Sequence, residues 1–200
     1  LDSGQVIPLF VFEERAESLG AAPRWRLENA IGALQTALEA KGSRLVLRRG
    51  PALDVLKAII AESGAKQVHW NRLYDPVSRR RDADIKDALR TEGINAQSHA
   101  GHLLHEPMRI QTQTGDYYKV FSPFWRNIQG RDVGPALAEP KVLTSPTKWP
   151  RSDSVSDWSM ASDMKRGASV LAKYSSAGEA DAWDKLMRFL SCSATPSATS

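Results

Sequence analysis

The chain reads as an α/β protein: a Rossmann-like, doubly wound parallel sheet with helices on both faces, then a long irregular linker and a short helix. Three observations predict this. A helical segment, a stop glycine and a short apolar strand recur in that order three times between residues 23 and 97. The opening segment, Val6 to Phe12, is apolar almost throughout rather than alternating, as in a strand covered on both faces. Alternation of strands with helix-length spacers supplies the crossovers that parallel strands require.

Each element has its own justification. In Val6 to Phe12 the objection is Pro8, which cannot donate to a ladder and argues against a central position. Residues 23–41 carry Leu27, Ile31, Leu34 and Leu38 at steps of four, three and four, which sets them on one stripe of a helix. Pro23 suits its first turn and Gly42 the position past its end. Leu45-Val46-Leu47 follows as a strand. Pro51 opens a second helix with Leu53, Leu56, Ile59 and Ile60 inward and Gly64 as its stop. Val68 to Trp70 is the next strand. A third helix runs from about Ser78 to Glu92, with Ile85 and Leu89 inward, and stops at Gly93. Ile94 to Gln97 begins a last strand.

Beyond this the character changes. From about Asp132 to Ser176, Pro135, Pro140, Pro146 and Pro150 punctuate a Ser-rich stretch with little periodicity, which predicts an irregular connection. Glu179 to Leu190 is a short amphipathic helix. Ser191 to Ser200 is small and polar, and disorder is expected there. The expected organisation is an α/β domain over 1–131, a linker over 132–176, the start of a helical domain over 177–190 and a tail over 191–200.

Composition narrows the classes. A length of 200 residues suits one domain, or one with an appendage. The net charge of +4 is spread along the chain, so it permits nucleic-acid contact without arguing for it. The single cysteine, Cys192, rules out an internal disulfide framework and a Cys-rich zinc site, and fits a reducing compartment. No apolar run reaches the length of a membrane span, and no basic-then-apolar segment opens the sequence, so the expected location is cytoplasmic and no membrane partner is expected.

Catalytic patterns are missing. There is no Gly-x-x-x-x-Gly-Lys, no Gly-x-Gly-x-x-Gly and no Gly-x-Ser-x-Gly, and no nucleophile has a local partner. Ligands of parallel sheets sit beyond the carboxyl ends of the strands, which directs attention to the loops after Phe12, Leu47 and Trp70. His99, His102 and His105 are spaced three and three with only Glu106 nearby, and read as turn imidazoles rather than a metal site. Arg79, Arg80 and Arg81 fall in the first turn of a helix, where the macrodipole disfavours cations. Either Asp75, Asp82 and Asp84 compensate locally, or an arginine reaches an anionic or electron-rich ligand. Tyr118, Phe121, Phe124 and Trp125 read as a core seam rather than a stacking platform for bases. Trp70 suits either core or pocket wall.

Four segments, in order, carry a resemblance. Tyr118-Lys119-Val120-Phe121-Ser122-Pro123-Phe124-Trp125 resembles a signature of the DNA photolyase/cryptochrome family. Gly20-Ala21-Ala22-Pro23-Arg24-Trp25-Arg26-Leu27 is similar to that family's second helix opening. Trp70-Asn71 with Arg79-Arg80-Arg81-Asp82 is similar to the loop after its fourth strand. Gly178-Glu179-Ala180, Leu186 and Phe189-Leu190 are similar to the start of its helical half. The resemblance implies an N-terminal antenna domain that passes excitation energy to FAD in a separate helical domain, where ultraviolet-damaged DNA is repaired. It implies that the Arg-x-Arg-Asp stretch lies beside the antenna chromophore.

Departures refine this. Nothing before Val6 resembles the family's first strand, and the FAD-binding segments expected after Leu190 do not follow. The chain is therefore expected to be a fragment, inactive in repair by itself, and marginally stable or self-associating. The Asn-Glu pair and the His of folate-using members fall by position on Val77, Ser78 and Leu19, which disfavours a folate. The resemblance implies members that use a deazaflavin or FMN, or no antenna, and the candidate lining residues of an antenna pocket are Phe12, Arg24, Asn71, Asp75 and Arg79. These lie at strand ends or helix starts, where backbone amides and arginines meet an anionic tail. FAD belongs only to the helical domain. A cryptochrome-type signalling domain, or a nucleotide-binding α/β protein outside the family, are the competing readings.

Overall fold

The computed structural model describes residues 4–193. Four strands, β1 (Leu9–Phe12), β2 (Val46–Arg49), β3 (Gln67–Asn71) and β4 (Asn95–His99), alternate with helices. The helices are α1 (Glu14–Glu17), α2 (Ala21–Glu39), α3 (Ala52–Ser63), α4 (Pro76–Thr91), α5 (Phe121–Ile128), α6 (Arg166–Leu171) and α7 (Glu179–Ser193). All strand pairing between these elements is parallel, as βαβ connections dictate. The pairing runs β1–β2 and β3–β4. The described residues divide into two compact units, one formed by the chain up to Ser63 with Pro140 onward, the other by Gly64–Glu139. No helix among the described residues is long and apolar enough to cross a membrane.

In the first unit, β1 and β2 pair in register Leu9↔Val46 to Phe12↔Arg49. Pro8 lies one residue before the strand, and its carbonyl accepts from Val46 N at 2.8 Å, so its missing N–H breaks no ladder bond. Alternate residues of β2 feed opposite faces. Leu45 and Leu47 join Phe12, Ile31, Trp158 and Met160 in one cluster. Val46 joins Val55 and Ile59 in another, with Ile7, Leu9, Val11 and Trp149 against it. Coverage of both faces explains the unbroken apolar run of β1.

Two details differ from the periodicity. On α2, Ile31 is buried and Leu27 and Leu38 are partly so, but Leu34 is 47% exposed, and Trp25 is buried instead. On α3, Val55 and Ile59 are the buried pair, while Leu53, Leu56 and Ile60 are intermediate.

The Ser- and Pro-rich stretch is mostly irregular, yet it contributes to this core. Trp158 stacks on Phe12 with centroids 5.0 Å apart, and Met160 is fully buried. Part of the same stretch lies along the edge of β2 that faces away from β1. Leu47 N donates to Ser152 Oγ at 2.9 Å, Asp153 N donates to Leu47 O at 2.8 Å, and Arg49 N donates to Asp153 Oδ2 at 3.1 Å. An exposed strand edge is a pairing liability, and this one is satisfied by loop backbone and side chains.

In the second unit, β3 and β4 pair from Gln67↔Asn95 to Asn71↔His99. Ile85 and Leu89 of α4 are buried, as are Ile94 and Ala96. Gly93, at φ +79°, ends the helix: Ile94 N then reaches back to Leu89 O at 3.0 Å. The aromatic signature is not a core seam. Tyr118, Phe121, Phe124 and Trp125 touch one another in and just before α5, but Phe121 is 70% and Trp125 48% exposed. With Phe121, Phe124 and Trp125 on a short helix that buries no residue, the rings pack on one another. The expected disordered tail lies, from residue 194, outside the described residues.

Candidate functional site

The loop after β3 is the most constructed polar region of the second unit. Arg72 N extends the ladder by donating to His99 O at 2.9 Å. Three residues later Asp75 caps α4: its Oδ1 accepts from Ser78 N at 3.0 Å, and Pro76 occupies the first turn. Arg79, in that turn, donates its amide to Asp75 O at 2.9 Å, and its side chain is exposed. Asn71, the last residue of β3, lies against Gly101. A Cβ on Gly101 would come within 2.9 Å of the Asn71 amide, so glycine permits this approach.

A three-residue lock fixes the loop. The Arg72 guanidinium pairs with Glu106, and its second nitrogen donates to Ser98 O at 2.9 Å. The Tyr74 hydroxyl donates to the other Glu106 oxygen. The Tyr74 hydrogen bond, ahead of the Arg72 contacts, holds the Glu106 carboxyl below the usual carboxylate range despite partial desolvation. The same bond pushes the Tyr74 hydroxyl upward. Residues 32 and 34 positions apart make these contacts, so no local spacing could reveal the lock. Glu106 stood out in the sequence only as a carboxylate beside histidines.

The arginine triplet separates. Arg81 binds Asp82 Oδ1 through Nε at 3.0 Å and Nη2 at 2.7 Å. Asp82 also accepts from Trp70 Nε1 at 3.0 Å, and Lys86 Nζ lies 5.6 Å from the centroid of that indole. Trp70 is thus a half-buried wall held by an acid. Asp75 and Asp82 supply local compensation at the helix start, while Arg79 and Arg80 stay exposed. Among the described residues no group of three or more His, Cys, Asp or Glu side chains could hold a metal ion.

Asn71, Asp75 and Arg79 therefore share the β3–α4 connection. Phe12 and Arg24 belong to the first unit. Phe12 is 2% exposed and stacked in the core. Arg24, in the first turn of α2, pairs with Asp163, and its Nε is buried without a hydrogen-bond partner. A cavity of about 250 Å³ opens at the carboxyl end of β1, lined by Phe10, Val11, Glu13, Arg15, Leu19 and Leu27 among others. It falls below the ~300–1,000 Å³ of typical ligand pockets, and neither Phe12 nor Arg24 lines it.

This strand-loop-helix geometry can be set beside known proteins. The family model for DNA photolyase matches residues 2–141. The chain belongs to the DNA photolyase family. It is 42% identical over 188 residues to a deoxyribodipyrimidine photo-lyase of Agrobacterium fabrum, covering 94% of this chain and 39% of that protein. It is 33% identical over 149 residues to cryptochrome-1 of Arabidopsis thaliana, covering 72% of this chain and 22% of that protein. The crystal structure of a bacterial class III photolyase from Agrobacterium tumefaciens superposes with a TM-score of 0.84 at 40% identity, over 94% of this chain and 39% of that one. The chain thus spans well under half the length of these relatives, and its α/β fold with parallel strands is that of their N-terminal portion.

Proposed function

We propose that this chain is the N-terminal light-harvesting domain of a photolyase-type protein. The observation that carries the reading is the β3–α4 connection. It joins the carboxyl end of a parallel strand to a capped helix N-terminus, with Asn71 and Arg79 exposed around it. Such a junction offers backbone amides and a guanidinium to an anionic, planar chromophore. Phe12 and Arg24, the other two residues proposed as chromophore contacts, belong to the first unit and are no part of this junction. In this reading residues 1–131 form the antenna domain, 132–176 the connection and 177–190 the opening of a helical domain. FAD and ultraviolet-damaged DNA are partners of that helical domain in the whole, cytoplasmic protein.

The ligand preference follows from residues at the same junction. Val77, 73% exposed, and Ser78, 1% exposed, stand where the resemblance puts the Asn-Glu pair of folate-using members. An isoalloxazine or deazaflavin is therefore favoured over a folate. The likeness to cryptochrome-1 supports a second reading, a blue-light signalling domain with the same antenna function. Fluorescence titration with FMN, a deazaflavin and a methenyl folate tests the proposal. Saturable one-to-one binding of FMN or deazaflavin is expected. Folate binding alone would overturn the preference but keep the antenna role, and binding of none would overturn both.

A further inference from the structure

The strands finish their outer edges differently. Among the described residues each strand pairs with one other strand, so each has an outer edge. That of β2 is met by Ser152 and Asp153. On β4, Ala96 O accepts from Arg90 Nη2 at 3.3 Å and Ser98 O from Arg72 Nη2 at 2.9 Å. β1 is half-buried from Leu9 to Val11. β3 has no such cover. Lys66 O and Arg72 N bond to β4, so the alternation of a parallel ladder points the N–H and C=O groups of Gln67, His69 and Asn71 the other way. These three residues are exposed, and among the described residues their outward groups find no backbone partner. We propose that the outer edge of β3 is a self-association surface, on which a second copy of this chain adds its own β3, antiparallel, about a two-fold axis at His69.

The edge lacks the usual guards. Proteins blunt an open strand with lysine, proline or a bulge, because a row of unpaired N–H and C=O groups accepts another strand. The sequence of β3, Gln-Val-His-Trp-Asn, holds no lysine, no carboxylate and no proline. It pairs with β4 without interruption from Gln67 to Asn71, so no bulge twists the edge away.

Symmetry selects the occupant. A two-fold contact sets one surface against itself, so it must be self-complementary. With the axis at His69, Gln67 faces the second copy's Asn71 and Asn71 faces its Gln67, amide against amide. Gln67 Oε1 lies 3.1 Å from His69 Nε2, which leaves the Gln67 amide nitrogen to donate to the Asn71 oxygen across the axis. On the other face Val68 meets Trp70, a favoured pairing of β-branched and aromatic side chains. Gln67, His69 and Asn71 each exchange N–H···O bonds with their counterparts, which satisfies the whole open row. His69 meets its own copy. Its Nδ1 lies 2.9 Å from His99 Nε2, so the ring is held on the face of its own sheet and leaves the edge clear.

Sedimentation velocity of the full chain over about 5–500 µM tests this, the range suited to the weak dimer that a short added strand gives. Residue-resolved hydrogen exchange at both ends of the range locates the contact. A reversible monomer–dimer equilibrium is expected, with exchange at the Gln67, His69 and Asn71 amides slowed by about fivefold or more at the high concentration. His69→Lys sets two ammonium groups opposite each other and is expected to raise the dissociation constant by about fivefold or more. His99→Gln removes the imidazole contact without adding charge at the edge, and is expected to dimerise as the parent does. A chain that stays monomeric, protection of the three amides that does not depend on concentration, slowed amides confined to another element, or His69→Lys that associates like the parent would each overturn the proposal. Circular dichroism checks the fold of the variants, and exchange on the parent needs no variant. No chromophore is present, so the outcome stands apart from the antenna reading.

Discussion

Tyr74 and Glu106 show how single side chains hold the loop after β3. Glu106 is held below its ordinary value, first by the Tyr74 hydroxyl and then by Arg72. Its contribution to stability is therefore present above the ordinary carboxylate value and is lost as pH falls through the lowered folded value. Tyr74 is shifted up, so its contribution is complete below the ordinary phenol value and is lost as pH rises through the raised one. Tyr74→Phe is expected to destabilise the chain most near neutral pH. Urea melts across a pH series should show the variant and the parent converging at both acid and alkaline ends; a constant gap would show that the hydroxyl does not couple to Glu106. Met160 offers a second residue-scale prediction. It is fully buried against the β1–β2 core, so Met160→Ala should cost about 2–5 kcal/mol. Leu34→Ala, at a 47% exposed position, should stay within about 0.5 kcal/mol. Denaturant midpoints compare the two directly. The periodicity placed Leu34 inward and could not see Met160, because burial of Met160 depends on a distant loop folding onto β2.

At the scale of elements, the order strand, helix, strand was legible because it rests on local signals: stop glycines at 42, 64 and 93, prolines at helix starts, and the spacing of Ile85 and Leu89. Boundaries shifted by a few residues where capping decided them. The third helix begins at Pro76 rather than about Ser78, since Asp75 caps it. Asp75→Ala should therefore cost about 0.5–2 kcal/mol, while Asp75→Asn should retain most of the cap. A thermal melt of both variants measures this; equal losses would mean that charge, not the accepted hydrogen bond, is what matters. The stretch between Pro140 and Met160 was illegible for a physical reason. It forms few repeating bonds of its own, so it has no period, yet Ser152 and Asp153 satisfy the outer edge of β2. The aromatic signature near Phe121 was legible as a family mark but not as packing, because the same spacing serves a core seam and an exposed cluster equally.

At the scale of the molecule, family and fold class were legible from four short segments in order, and the family match over residues 2–141 agrees with them. The site was legible in part. Asn71, Asp75 and Arg79 follow one another along a single connection, and the sequence placed them there. Arg72, Tyr74 and Glu106, which hold that connection, come from segments more than thirty positions apart. The same holds for His69 and His99, which parallel pairing alone makes neighbours. We propose that the β3–α4 connection receives the antenna chromophore. Backbone amide chemical-shift mapping of the chain during titration with FMN tests it most directly. Saturable shifts are expected to concentrate at Asn71 and from Asp75 to Arg79. Saturable shifts confined to other elements, or none at all, would contradict it.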